Sequence, residues 1–148
     1  MSPGQLPIAL CRPPSERVVA PMDDDTVERF FTALEAGDTD TMATIYAPDA
    51  RIWHNDYSEQ GVEDNLAVLR GLHQVVSGLH YEILRRIPVE GAVFQQHVLR
   101  GRLPDGTEVA MPAAMYLAVD GGRITRIEEY LDSAQAAPIR AARSALTR

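Results

Sequence analysis

The chain has 148 residues, which is the size of one domain and enough to bury a substantial core. Hydrophobic residues make up 45% and charged residues 24%, as in soluble globular proteins, so extensive disorder is not expected. All 14 basic side chains are arginines, and against 21 acidic residues they leave a net charge of −7. The absence of lysine excludes Schiff-base catalysis and the phosphate-binding lysine of a P-loop.

The same numbers limit the partners. Nucleic acid is not expected, because phosphate binding needs a clustered basic face. Membrane insertion is not expected, because no apolar run reaches the roughly 18 residues of a spanning helix. The N-terminal MSPGQLPIALCRPP lacks the basic start and long apolar stretch of a signal peptide. The single cysteine, Cys11, cannot form an internal disulfide, so we predict a cytoplasmic protein.

Proline and the first helical signals divide the N-terminal half. Five of the ten prolines lie within the first 21 residues, so residues 1–22 are predicted to be a mobile arm. The folded domain is predicted to cover 23–136, and its first helix to run from the acidic cluster at 23–25 to Gly37. Three elements are predicted to follow: a short helix capped by Asp38 or Asp40 and ended by Pro48, a strand at 50–56 and a helix at 62–76.

From residue 79 the pattern is that of strands separated by turns. Four are predicted, at 79–87, 93–102, 108–119 and 123–132. Pro112 is expected to bend or bulge the third of them, and residues 137–148 to be a tail, either helical or frayed. The order predicts an α+β domain in which a strongly curved, mostly antiparallel sheet wraps around three N-terminal helices and leaves a cone-shaped pocket.

Two stretches carry a family resemblance, VERFFTALEAGDTDTMATIYAPDARIWHND and GGRITRIEEYLD. They resemble the SnoaL-like branch of the superfamily that includes nuclear transport factor two, ketosteroid isomerase, scytalone dehydratase and limonene-epoxide hydrolase. The resemblance covers about residues 24–136. It implies a cystatin-like cone and a homodimer formed through the outer face of the sheet. It specifies the reaction less well, because this scaffold carries unrelated chemistries and pure binding roles.

His54 is the first predicted catalytic residue. The resemblance places it where ketosteroid isomerases have their general-base aspartate, and near the water-holding asparagine of limonene-epoxide hydrolases. A histidine can accept or donate a proton near neutral pH. The alternative is a partly buried structural histidine at the edge of the sheet.

Asp132 and His97 complete the predicted catalytic set. Asp132 matches the last-strand carboxylate that acts as acid and base in SnoaL-type polyketide cyclases; the alternative is a surface aspartate that caps the turn before Ala134. His97 shares a strand face with Gln95, at positions where limonene-epoxide hydrolases carry an aspartate and an arginine. Because that pair is absent, epoxide hydrolysis is not expected. A structural role for His97 is the alternative.

The predicted substrate contacts are the residues that the cone would bring near these groups: Trp53, Asn55, Tyr57, Gln95, Met115 and Tyr130. Met115 falls near the position of the protonated aspartate of ketosteroid isomerases, and a thioether cannot donate a hydrogen bond. Steroid isomerisation is therefore not expected. A phenol donor could come from Tyr57, Tyr116 or Tyr130, and the sequence does not decide among them.

Two functions follow from these residues. The first is a cofactor-independent acid/base enzyme, similar to a cyclase, isomerase or dehydratase, that acts on a small apolar carbonyl or polyketide-type metabolite. The second is a non-catalytic module of the same fold that binds a small molecule or dimerises. No cofactor is expected. His54, His97 and Asp132 could in principle hold a metal ion, but no local spacing indicates a metal site, and none is predicted.

Overall fold

A computed structural model describes residues 24–148, so the predicted arm at 1–22 and the acidic residue Asp23 lie outside the described part. Within it, four helices and one six-stranded, curved and unclosed sheet form an α+β cone. The predicted fold class is therefore confirmed. No helix among these residues is both long and apolar enough to cross a membrane.

The helices begin and end close to the predicted positions. Their bounds are α1 Asp24–Ala36, α2 Thr39–Ile45, α3 Val62–Val75 and α4 Ser133–Ala145. Gly37 ends α1 with a φ of 69°, a left-handed conformation that glycine adopts at little cost. The carboxylate of Asp38 caps α2 by accepting from the Thr41 backbone N–H at 2.9 Å.

The strands are β1 Tyr46–His54, β2 Glu59–Gln60, β3 Ser77–Val89, β4 Ala92–Arg102, β5 Glu108–Asp120 and β6 Arg123–Leu131. Their spatial order is β2-β1-β6-β5-β4-β3. Only the β1 and β6 pair is parallel among these strands. Because β1 pairs with β6, the first and the last strand of the chain lie side by side in the sheet.

Two prolines are placed differently from our predictions. Pro48 does not end a helix: α2 ends at Ile45, and Pro48 lies inside β1. Pro112 causes no bulge, since it stands in regular register opposite Val98 on β4. Its carbonyl accepts from the Asp132 N–H at 3.0 Å, so its nitrogen also faces β6 and the β4–β5 hydrogen bonds remain intact.

The C-terminal residues form a helix that packs on the domain. The boundary that we predicted at residue 136/137 falls inside α4, whose Ala136 and Ile139 are buried in the core. This helix contacts α3 and β5. It therefore contributes a wall to the interior that a separate tail would not have supplied.

Candidate functional site

A cavity of about 200 Å³ lies between the inner face of the sheet and the helices α1, α3 and α4. Most of its wall is apolar, as in pockets for small organic ligands. Its polar and charged lining residues are Tyr46, His54, Asp56, Ser58, Gln60, Asn65, Tyr81, Glu129, Arg140 and Arg143. The volume lies below the roughly 300–1,000 Å³ of pockets for drug-sized ligands, so a small metabolite fits best.

One lateral row of side chains crosses five strands on the inner face. In order from β3 to β1 it consists of Arg86, Gln95, Met115, Glu129 and His54, each the register partner of the next. Neighbours in such a row are close enough to interact directly. The row thus brings four polar side chains that are distant in the sequence into one line.

His54 and Glu129 form a pair on the cavity wall. Nε2 of His54 lies 3.3 Å from Oε2 of Glu129, and the two side chains are only 18% and 13% exposed. The hydrogen bond to Glu129 raises the pKa of His54 above its usual 6.5, although partial burial opposes this. The imidazole therefore holds its proton to a higher pH than a free histidine does, and in that form it can act as an acid beside a carboxylate.

His97 lies behind the same carboxylate, in the protein interior. Only 1% of the residue is exposed, and its Nε2 is 3.9 Å from Oε1 of Glu129. Burial lowers the pKa of His97, although the charge of Glu129 works in the opposite direction. Glu129 therefore lies between His54, whose charged form is favoured, and His97, whose neutral form is favoured.

A hydrogen-bonded relay fixes the tautomer of His97. The guanidinium of Arg86, which can only donate, gives its Nε–H to the Gln95 carbonyl oxygen at 2.8 Å. The Gln95 amide nitrogen then faces Nδ1 of His97 at 3.2 Å and donates to it. Because Nδ1 accepts, the single proton of the neutral ring lies on Nε2. Within the described part of the chain that Nε2–H has no hydrogen-bond partner, and it faces Glu129.

Two tyrosines line the cavity instead of the three that we considered. Tyr46 donates its hydroxyl to the Asn65 carbonyl oxygen at 2.9 Å, and the Asn65 amide donates onward to Gln60 at 3.4 Å. Burial raises the pKa of Tyr46 and of Tyr81, so both phenols stay protonated. By contrast, Tyr57 and Tyr130 are 87% and 56% exposed and do not line the cavity. Tyr116 is also absent from it.

Asp132 does not face the cavity, which corrects our prediction of its position. It is exposed, and Oδ1 accepts from the backbone N–H groups of Ala134 and Gln135 at 2.9 and 3.3 Å. This is the N-cap of α4, the alternative that we had kept open. The carboxylate on the last strand that does enter the cavity is Glu129, three residues earlier.

Three other predicted contacts also lie outside the cavity wall. Trp53 packs edge-on against Tyr57 and Tyr130, at ring-centroid distances of 6.0 and 5.2 Å. Asn55 exchanges two hydrogen bonds with the Leu131 backbone, at 3.0 and 3.3 Å, and joins β1 to the end of β6. Of the six predicted substrate contacts only Met115 lines the cavity, while Gln95 lies buried beneath it.

Sequence reasoning missed Glu129, Arg140 and Arg143. The alternation Ile127, Glu129, Leu131 was a usable signal for the first, because Ile127 is core. The two arginines lie on α4, which we had left outside the domain. No cluster of three or more His, Cys, Asp or Glu side chains among residues 24–148 is arranged to hold a metal ion.

Comparison with known proteins agrees with this architecture. Residues 27–127 match the family model of the SnoaL-like domain. No curated protein matches the sequence. Many solved structures have a similar fold.

Three of these structures illustrate the range of similar proteins. A candidate SnoaL-like polyketide cyclase from Shewanella putrefaciens CN-32 has a TM-score of 0.71 at 19% identity, over 82% of this chain and 87% of its own. IdmH, a candidate polyketide cyclase from Streptomyces antibioticus, also has a TM-score of 0.71 at 19% identity, over 81% and 99%. An M. tuberculosis LEH-like epoxide hydrolase has a TM-score of 0.67 at 24% identity, over 84% of this chain and 94% of its own. At these identities the likeness establishes the shared fold.

Proposed function

The chain belongs to the SnoaL-like domain family, and we propose that it is a cofactor-independent acid/base enzyme acting on a small, largely apolar carbonyl compound of the polyketide type. The observation that carries the proposal is the contact between His54 and Glu129 on the wall of an otherwise apolar cavity. A carboxylate beside an imidazolium supplies a base and an acid at one point of the wall.

Glu129 is the proposed base. Its carboxylate takes a proton from the carbon next to the substrate carbonyl, and the electron pair of the broken C–H bond moves onto the carbonyl oxygen. His54, whose hydrogen bond to Glu129 favours its protonated form, donates to that oxygen as negative charge develops. The resulting enol or enolate can be reprotonated at another carbon or can attack a second carbonyl, which corresponds to isomerisation or cyclisation.

His97 acts on Glu129 and does not itself line the cavity. Its neutral ring presents Nε2–H toward Oε1 of the carboxylate, so it orients the base without neutralising it. A second charged histidine at this place would lower the basicity of Glu129. The buried relay from Arg86 through Gln95 therefore supports the proposed base from behind.

Epoxide hydrolysis fits these residues less well. The positions at which we expected the aspartate and arginine of limonene-epoxide hydrolases hold Gln95 and His97, and both are buried beneath the cavity wall. The similar structures named as candidate polyketide cyclases support the carbonyl chemistry by analogy only.

The test uses a generic small ketone, 2-tetralone, in deuterated buffer. We expect the protein to accelerate exchange of the protons next to the carbonyl, followed by NMR. The rate should fall as pH rises through the raised pKa of His54, because the imidazolium is then lost. Replacing His54 by Gln should slow exchange by about 100-fold. If the wild-type protein binds 2-tetralone without any acceleration, it is a binding module and the proposal is wrong.

A further inference from the structure

Arg143 brings a cation into the cavity from the C-terminal helix. It lines the cavity, and its Nε is buried without a hydrogen-bond partner among residues 24–148. The described residues form no ion pair with this guanidinium. The other arginine on the wall, Arg140, differs in this respect, since Asp56 lies 3.8 Å from it at the cavity rim.

The Arg143 side chain passes close to Gly71 on α3. A Cβ atom at Gly71, in the middle of α3, would lie 3.0 Å from Nε of Arg143. Glycine inside a helix is unfavourable relative to alanine. At this position it leaves room for the guanidinium to cross the surface of α3 toward the cavity.

A buried donor without a partner costs free energy, and a cation in an apolar wall costs more unless an anion meets it. A guanidinium presents its donors in a planar fork that matches a carboxylate. We propose that Arg143 is the binding site for a carboxylate of the substrate, so the ligand is a small organic acid with an apolar body.

This inference rests on the proposed function for the reaction but specifies the substrate class separately. Arg143 lies on α4 and Glu129 on β6, so the carboxylate of the ligand binds on a different wall from the base. The reacting carbon can then approach Glu129 without placing two negative charges together.

The test compares phenylacetate with phenylacetamide, two probes of the same shape that differ in charge. Binding to the full-length protein is followed by NMR, including the side-chain Nε–H resonance of Arg143. Wild-type protein should bind phenylacetate at least about tenfold more tightly than phenylacetamide, as expected for one charge-assisted contact. The Arg143 Nε–H resonance should shift with phenylacetate and not with phenylacetamide.

Arg143→Gln should reduce the preference for phenylacetate to within about twofold. The matched control is Arg100→Gln, which removes an exposed arginine that pairs with Glu82 away from the cavity and should leave the preference unchanged. Equal affinity of the wild-type protein for both probes, or no binding of phenylacetate at all, would overturn the inference. So would a preference that survives in Arg143→Gln.

Because these measurements are of binding, they separate the two proposals. A carboxylate preference without any proton exchange would contradict the proposed reaction and leave the Arg143 site in place. Exchange without a carboxylate preference would do the reverse.

Discussion

Glu129 Oε2 lies 3.3 Å from His54 Nε2 on the wall of the cavity, although the two residues are at opposite ends of the folded domain. The parallel pairing of β1 with β6 places them in direct register. The first prediction concerns the protonation of this pair. NMR titration should give a pKa above 6.5 for His54 and below 6.5 for His97, since one ring is hydrogen-bonded to the carboxylate and the other is desolvated. Equal values, or the reverse order, would contradict the assignment.

The same shift predicts a pH-dependent stability. The folded-state pKa of His54 is raised, so the stabilisation from its pairing is fully present below the unfolded value of about 6.5 and is lost as pH rises through the folded value. The difference in free energy of unfolding between wild type and His54→Gln should therefore shrink with rising pH. A difference that grows above pH 7 would contradict this prediction.

Gln95 should be required for the tautomer of His97. Replacing it by Met keeps the volume but removes the acceptor of the Arg86 Nε–H and the donor to His97 Nδ1, at a cost of about 1–3 kcal/mol in free energy of unfolding, while the ion pair of Arg86 with Glu28 remains. The ¹⁵N shifts of His97 should lose the pure Nε2–H pattern. Gln96→Met, on the other face of β4, is the matched control and should change neither quantity. An unaltered His97 spectrum in Gln95→Met would refute the relay.

Gly101 should not tolerate a side chain. A Cβ there would lie 2.3 Å from Cγ1 of Val76 and 3.0 Å from the Ser77 carbonyl oxygen, so alanine must displace β3 or α3. Overpacking of this kind costs about 1–3 kcal/mol. In a double-mutant cycle with Val76→Ala, urea unfolding should reveal a favourable coupling, because the smaller side chain relieves the overlap. Additive losses would mean that the two positions do not meet.

The homodimer implied by the family resemblance stays a prediction. Four exposed apolar side chains lie along β3: Ile83, Leu84, Ile87 and Val89. If two copies pair through this side of the sheet, light scattering should give twice the 16.3 kDa of one chain. Ile87→Asp should then yield monomers, because the charge would be desolvated at the interface. Leu146→Asp, an equally exposed leucine at the end of α4, should leave the dimer intact.

Periodicity and turn residues, which are local signals, predicted most helices and strands, whereas the family resemblance implied the cone and the inward position of His54. The resemblance also pointed to Asp132, and a β-bulge keeps side-chain alternation from correcting that assignment. If inward-facing positions on β6 are counted in steps of two from Ile124, they lead to Asp132. The register shift opposite Ala118 changes this alternation, and counting from Ile127 leads to Glu129 instead. Local patterns do not mark such a shift.

A similar irregularity on β3 explains why the position of Arg86 beside Gln95 was not predicted. Alternation from Tyr81 would turn Arg85 inward, but the irregularity between Ile83 and Arg85 places Arg86 beside Gln95 instead. Arg143 was missed for a different reason. Its place in the cavity depends on the packing of α4 against α3, which is a tertiary contact without a local signature.

The central claim is that Glu129 is the base, and the neighbouring carboxylates of Glu128 on β6 and of Asp132 just after it provide a direct test. Glu129→Gln, Glu128→Gln and Asp132→Asn each remove one negative charge, but Glu128 pairs with Arg126 and Asp132 caps α4, both outside the cavity. The measurement is the rate of deuterium exchange into 2-tetralone catalysed by each variant. We predict a loss of about 100-fold or more in Glu129→Gln alone, with the other two close to wild type. Exchange that persists in Glu129→Gln, or that disappears in Asp132→Asn, would contradict the account.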